Sequence, residues 1–254
     1  MSRTLLAILL LAALSYGAIC LVVFLFQRSL IYFPEASPAH PEEATLVLPI
    51  EEGTVRVGTR FRKGAKAVLY FGGNAEDVSL TRPELESSFP QHALYLMHYR
   101  GYGGSSGTPS EAGLRADALA LFDGVLARHA SIVVIGRSLG SGIAVWLASV
   151  RQVAGLVLVT PYASLEELAR SRYPFLPVRW LLRDRFESWR FAPQVSAPTL
   201  LLVAEHDSII PRQSSQALQA SFRPGIASLQ IIAGTDHNSI SASVDYMRAL
   251  ASFR

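Results

Sequence analysis

Three features of this 254-residue chain predict an α/β fold with a mostly parallel sheet and helices on both faces. From residue 67 onward, short apolar runs alternate with helical stretches. Those runs are hydrophobic at nearly every position, the pattern of strands covered on both sides. One of them, Ser131-Ile132-Val133-Val134-Ile135, feeds the turn Gly136-Arg137-Ser138-Leu139-Gly140 and then the small-residue helix that begins Ser141-Gly142-Ile143-Ala144. A strand, a tight glycine turn and a helix in that order form a nucleophile elbow, which lifts a serine hydroxyl off the end of a parallel sheet.

The elements follow in chain order. Thr4 to Phe26 carries no charge, and its roughly 23 residues would reach about 34 Å as a helix, enough to span a bilayer with some tilt. A cleaved signal peptide is the competing reading. The apolar run exceeds the usual 7–15 residues and no A-x-A site follows it, which favours an uncleaved anchor. Arg3 lies on one side of the run and Arg28 on the other, so orientation stays open. The expected organisation is a transmembrane anchor over 1–28, a linker over 29–44 with Pro34, Pro38 and Pro41, and a catalytic domain over 45–254.

That domain should open with a hairpin, Leu46–Pro49 and Thr54–Phe61, turned at Glu51-Glu52-Gly53. Parallel strands are expected at Ala67–Phe71, Ala93–Tyr99, Ser131–Ile135, Gly155–Thr160, Thr199–Ala204 and Ser228–Ala233. Helices are expected at Asp77–Ser88, Ser110–His129, Ser138–Val150, Pro211–Phe222 and Ser239–Phe253. About 38 residues without a strand signal separate the fourth and fifth of these strands. A connection that long carries its own structure, here a short helical cap over about 163–196.

The pattern G-x-S-x-G occurs twice, and context separates the copies. Gly103-Gly104-Ser105-Ser106-Gly107 runs into Thr108-Pro109 and reads as a long loop. Ser138 alone stands between a strand and a helix, so it is the candidate nucleophile. Asp207 follows the strand Thr199–Ala204, and His237 follows the strand Ser228–Ala233. Both therefore sit at strand carboxyl ends, where open α/β sheets bind ligands, and in the order Ser, acid, His. Asp236 is the alternative acid. It adjoins His237, which makes side-chain pairing awkward. His206 adjoins Asp207 and should project elsewhere. His40, His92 and His129 fall outside the strand-end pattern, and His98 follows a strand as a minor candidate.

These residues give the chain a resemblance to the α/β-hydrolase superfamily, and within it to a small membrane-anchored branch that includes bud-emergence-related proteins and animal protein depalmitoylases. The matching stretches are Phe26-Gln27-Arg28-Ser29-Leu30-Ile31-Tyr32-Phe33-Pro34, Tyr70-Phe71-Gly72-Gly73-Asn74-Ala75-Glu76-Asp77, Tyr99-Arg100-Gly101-Tyr102-Gly103-Gly104-Ser105, the elbow, and the Asp207 and His237 loops. The resemblance implies that the backbone N–H groups of Asn74 and Leu139 form an oxyanion hole. A helix starting near Ala75 would point its partial positive end at the same place. The branch usually has His where Gly72 stands, an acid or amide where His98 stands, and Gly where Asp236 stands.

Composition narrows the function further. Half of the residues are hydrophobic and 17% are charged. The net charge is +3, Lys63 and Lys66 are the only lysines, and no basic run appears, which argues against a nucleic-acid partner. The single cysteine excludes an internal disulfide. There is no H-E-x-x-H, P-loop or dinucleotide fingerprint, so neither metal nor cofactor is expected.

The expected activity is that of a serine hydrolase on an acyl ester or thioester, using Ser138, His237 and Asp207. A serine peptidase, an acyltransferase on the same triad, or a non-catalytic membrane-tethered scaffold are the alternatives. Its partners would be an acylated small-molecule, lipid or protein substrate and the membrane itself, with a single-pass bacterial inner-membrane location. Arg172, Arg179, Arg183 and Arg190 interleave with Phe175, Trp180, Phe186 and Trp189 in the cap. That mixture suits a membrane interface, though the same aromatics could simply pack the cap onto the sheet.

Overall fold

The computed structural model describes residues 2–34, 45–51 and 53–253. Eight strands form one sheet: β1 Thr45–Ile50, β2 Gly53–Arg60, β3 Lys66–Phe71, β4 Ala93–Met97, β5 Ser131–Arg137, β6 Gly155–Val159, β7 Thr199–Ala204 and β8 Ala227–Ile232. Their spatial order is β1-β2-β4-β3-β5-β6-β7-β8. The hairpin β1–β2 is antiparallel, β2 runs antiparallel to β4, and every later pairing is parallel.

Strand periodicity divides the core in two. On one face Leu69, Phe71, Val134, Leu156 and Leu158 pack under the helices α3, Glu111–Leu126, and α4, Leu139–Val150. On the other, Val68, Tyr70, Val133, Ile135, Val157 and Val159 meet α2, Arg82–Ser88, and the C-terminal helix, Val244–Ser252. Successive residues alternate faces because the side-chain period of a strand is two. Both faces are apolar, so the buried stretches Ala67–Phe71 of β3 and Ile132–Ile135 of β5 carry no apolar-in, polar-out alternation.

Two expected helices are split. The segment Asp77–Ser88 begins as a 3₁₀ turn, Val78–Thr81, capped by the Asp77 carboxylate, and only then becomes α2, with Pro83 in its first turn. Pro at the start of a helix lacks only an N–H that has no partner there, so Pro83 marks the true start. Likewise Ser239–Phe253 resolves into a 3₁₀ turn, Ile240–Ala242, and the helix Val244–Ser252.

The cap consists of α5, Leu165–Arg172, α6, Val178–Leu181, α7, Ser188–Phe191, and a 3₁₀ turn, Ala192–Gln194. Ser164 caps α5 through Glu167 N–H. In chain order, α8, Arg212–Ser221, follows β7 and α9, Val244–Ser252, ends the chain's described structure.

The N-terminal helix α1 runs Arg3–Ile31, three residues past the expected boundary at 28. It is long and apolar enough to cross a membrane, and none of its most apolar stretch is buried. Its inner end docks on the cap. The buried Gln27 donates to Leu181 O and accepts from Arg183 N–H. Arg28 and Tyr32 both reach the buried Asp184 carboxylate, at 3.0 and 3.1 Å. Ser29 to Ile31, expected as linker, are therefore helix, and Tyr32 is core. Pro38 and Pro41 lie outside the described residues.

Candidate active site

Ser138 sits at the junction of β5 and α4 with φ +48° and ψ −117°. This is strained backbone for a residue with a Cβ, and close packing around the turn holds it. A Cβ at Gly140 would collide with the Phe71 carbonyl, and one at Gly136 would collide with the carbonyl of Gly140. Only glycine two residues either side of Ser138 lets β3, β5 and α4 approach this closely.

The Asp207 loop and the His237 loop bring their side chains to the same point. His237 Nε2 is 3.0 Å from Ser138 Oγ, and His237 Nδ1 is 2.8 Å from Asp207 Oδ2. The other oxygen of Asp207 accepts from Ile209 N–H and Ile210 N–H. The aspartate is thus both a local turn former and the partner of His237, and those amides fix which oxygen faces the imidazole.

The competing residues lie elsewhere. Asp236 turns back to accept from Asn238 N–H and Ser239 N–H, and those amides hold its carboxyl below the usual range. His206 is exposed beside Glu205. His129 bridges Tyr95 OH and Gly64 O, and His92 packs against Phe89. His40 lies outside the described residues. Ser105 is a loop strut: its Oγ accepts from Arg56 N–H and donates to His98 O. The His98 imidazole lies where a Cβ on Gly103 would be, so this histidine pins the Tyr99–Ser105 loop by packing.

Asn74 and Leu139 line the pocket around Ser138. Leu139 is the first residue of α4, where a backbone N–H has no partner within the helix. The loop carrying Asn74 differs from expectation in one respect: no helix begins near Ala75. The Glu76 carboxylate folds the loop by accepting from Gly73 N–H, Tyr70 OH and Thr81 OH, so side-chain hydrogen bonds replace a helix terminus there. A Cβ at Gly72 would lie 2.6 Å from Val78 Cγ1, so the larger residue of the resembling branch would require that valine to move.

Three contacts to the loop come from outside its own segment. Asn74 O accepts from Phe33 N–H and Tyr102 OH, and Asn74 Nδ2 donates to Ile31 O. The end of α1, Phe33 just beyond it and Tyr102 therefore set the position of Asn74.

Sequence reasoning missed a half-buried polar network beneath the serine. Arg137, the residue before the nucleophile, approaches Glu76 at 3.6 Å and donates towards His237 O. Tyr246 OH donates to Glu84, whose carboxyl is pushed up to about 7 by burial, against the pull of Tyr246 and Arg137. The only signal in the chain was an arginine inside an otherwise apolar elbow. Among the described residues no group of side chains could hold a metal ion.

Comparisons with known proteins fit this fold. No protein-family model matches the chain. An uncharacterized protein of Mycobacterium tuberculosis is 37% identical, with 82% of this chain and 80% of that protein covered. Est1E from Butyrivibrio proteoclasticus, solved with ferulic acid, superposes with a TM-score of 0.68 at 15% identity, covering 82% of this chain and 97% of the other. The chain belongs to the α/β-hydrolase superfamily. This hydrolase is also 32% identical to lysophosphatidylserine lipase ABHD12 of Danio rerio, over 62% of its own length and 47% of the fish protein.

Proposed function

We propose that this hydrolase is a membrane-anchored serine hydrolase that cleaves carboxylic esters or thioesters through an acyl-enzyme on Ser138. The observation that carries the reading is the unbroken chain from Ser138 Oγ through both nitrogens of His237 to Asp207. His237 takes the Ser138 proton as Oγ bonds to the carbonyl carbon. It returns that proton to the alcohol or thiol as the C–O or C–S bond breaks. Water then repeats the sequence in reverse, releasing the acid and restoring Ser138. Asp207 holds the imidazole in the tautomer that leaves Nε2 free to accept. The amides of Asn74 and Leu139 stabilise the tetrahedral oxyanion.

The apolar, exposed α1 supports anchoring in a membrane, and the similarity to a lysophospholipid lipase favours a lipid-like ester. On this reading the protein is a single-pass membrane enzyme, and in a bacterium it would occupy the inner membrane. The test is labelling of the full-length protein in detergent with a fluorophosphonate. Wild type should label at Ser138 and hydrolyse p-nitrophenyl butyrate. Absence of both would reject catalysis and leave a membrane-tethered scaffold.

A further inference from the structure

The catalytic pocket has a neighbour. The pocket itself encloses about 740 Å³ around Ser138 and His237. A second cavity of about 560 Å³ lies between α1 and the cap. Both fall in the size range of small-molecule sites, roughly 300–1,000 Å³. They share five wall residues, Leu30, Ile31, Leu165, Leu168 and Ile209, so the two cavities lie side by side along a wholly apolar wall. Beyond it the second cavity is lined mainly by apolar side chains, Val23 from α1 and Leu176, Val178 and Leu181 from the cap, with Gln27, Ser171, Arg172, Tyr173 and Ser208 adding polar groups at its walls. Val23 lies about 10 Å along the helix from Leu30. The opposite side of the catalytic pocket is polar, with Asp77, Glu84, Asn238 and Ser241. The combined site thus has an apolar end, a serine in the middle and a polar end.

The cap also reaches far along the anchor. Tyr16 OH donates to Phe175 O at 2.9 Å. Tyr16 is eleven residues before Gln27, about 16 Å along the helix, and lies inside the uncharged run Thr4–Phe26. Phe175 and Trp180 are exposed on the cap, Trp180 at 83%. Arg183 stacks on Phe24, 4.1 Å from the ring centroid, which marks the polar edge of the same face. With α1 in a bilayer, the cap tip enters the hydrocarbon and the arginine stays near the headgroups.

We propose that the cavity between α1 and the cap holds the acyl chain of a long-chain ester or thioester, which slides in sideways from the bilayer with its carbonyl at Ser138. The inference rests on the serine-hydrolase and anchoring reading above and adds that the anchor is a wall of the substrate site. One long acyl chain fills the apolar end, and the polar leaving group faces Asp77 and Asn238. Among substrates that share the bond cleaved, this arrangement selects membrane-resident amphiphiles over water-soluble short-chain esters.

The experiment uses the full-length protein in detergent micelles and compares kcat/KM on p-nitrophenyl palmitate and butyrate. Val23→Trp, from the anchor, and Leu176→Trp, from the cap, each fill the distal cavity. Each should lower the palmitate-to-butyrate ratio by about tenfold or more, because every methylene kept out of an apolar site loses transfer free energy. Leu25→Trp, exposed on the opposite face of α1, should leave the ratio at its wild-type value. A ratio unchanged in either folded cavity variant would overturn the proposal and leave the cavity as a place for bulk lipid. Wild type that labels at Ser138 and cleaves butyrate but gains nothing on palmitate would also overturn it, while sparing the serine-hydrolase reading. Loss of labelling and of all hydrolysis in wild type would reject both.

Discussion

The two G-x-S-x-G segments use the same letters to opposite ends. In Gly136–Gly140 the glycines bring three backbones together and the serine is forced to positive φ with its hydroxyl facing His237. In Gly103–Gly107 the glycines themselves take positive φ, and Ser105 turns inward to tie Arg56 to His98. The pattern specifies small residues around a serine. What surrounds it decides whether the hydroxyl is strained towards a base or consumed as a strut.

The contrast breaks most sharply at Ser138. Ser138→Ala should abolish fluorophosphonate labelling and lower kcat on the order of 10⁶-fold. Labelling that persisted on Ser105 in that variant would reverse the assignment. The two acids next to this site divide in the same way. Asp207→Asn should cost about 10⁴ in kcat, since the histidine tautomer is no longer fixed, whereas Asp236→Asn should stay near wild type because its carboxylate serves its own turn. Steady-state rates of the two variants side by side decide between them.

Glu84 sharpens the comparison from beneath the elbow. Its carboxyl is pushed up to about 7, from an ordinary value of 4.5, by burial. Between those values the folded state holds the proton and the unfolded state does not, so stability falls as pH rises through that window. Glu84→Gln, neutral throughout, should flatten the loss. Thermal melts at pH 5 and pH 7 should then differ less than in wild type, by about 2–4 °C. An equal or larger difference in the variant would show that Glu84 is not the titrating group. On turnover the smallest effect is at Ser105: Ser105→Ala should leave kcat unchanged, while costing about 1–3 kcal/mol of stability because it removes the hydroxyl that bridges the Arg56 N–H and the His98 carbonyl. Melting and turnover measured on one preparation separate the two effects.

Much of this was legible because it is local. The apolar runs of β3 to β7 pack on both faces, so each is hydrophobic along its length. The elbow needs its glycines in fixed places, and the strand ends that carry Asp207 and His237 follow from sheet order. What was not legible is long-range and polar. Arg28 and Asp184 are 156 residues apart, and neither carries a mark of the other in its surroundings. The composition of Asp77–Ser88 predicts a helix that starts near Ala75, but Glu76 commits its carboxylate to the loop and Pro83 defers the helix. The uncharged run Thr4–Phe26 predicts an apolar helix but carries no sign of what the end of that helix touches.

That inner end makes location and integrity the same property. Asp184 is buried, and the two groups that answer its charge, Arg28 and Tyr32, both belong to the segment that leads out of the anchor. A copy cut free after residue 34 keeps Ser138, Asp207 and His237 but strands a buried carboxylate and removes the Ile31 and Phe33 contacts to Asn74. Arg28 is 41% exposed, so its ion pair contributes little, and the loss falls mainly on the Tyr32 hydrogen bond and the loop contacts, about 1–3 kcal/mol for a buried group left unpaired. Shed domain should therefore melt well below the full chain and label slowly; equal melting of the two would refute this. In a chain built so, the N-terminal helix is a structural part of the catalytic domain as much as an appendage to it.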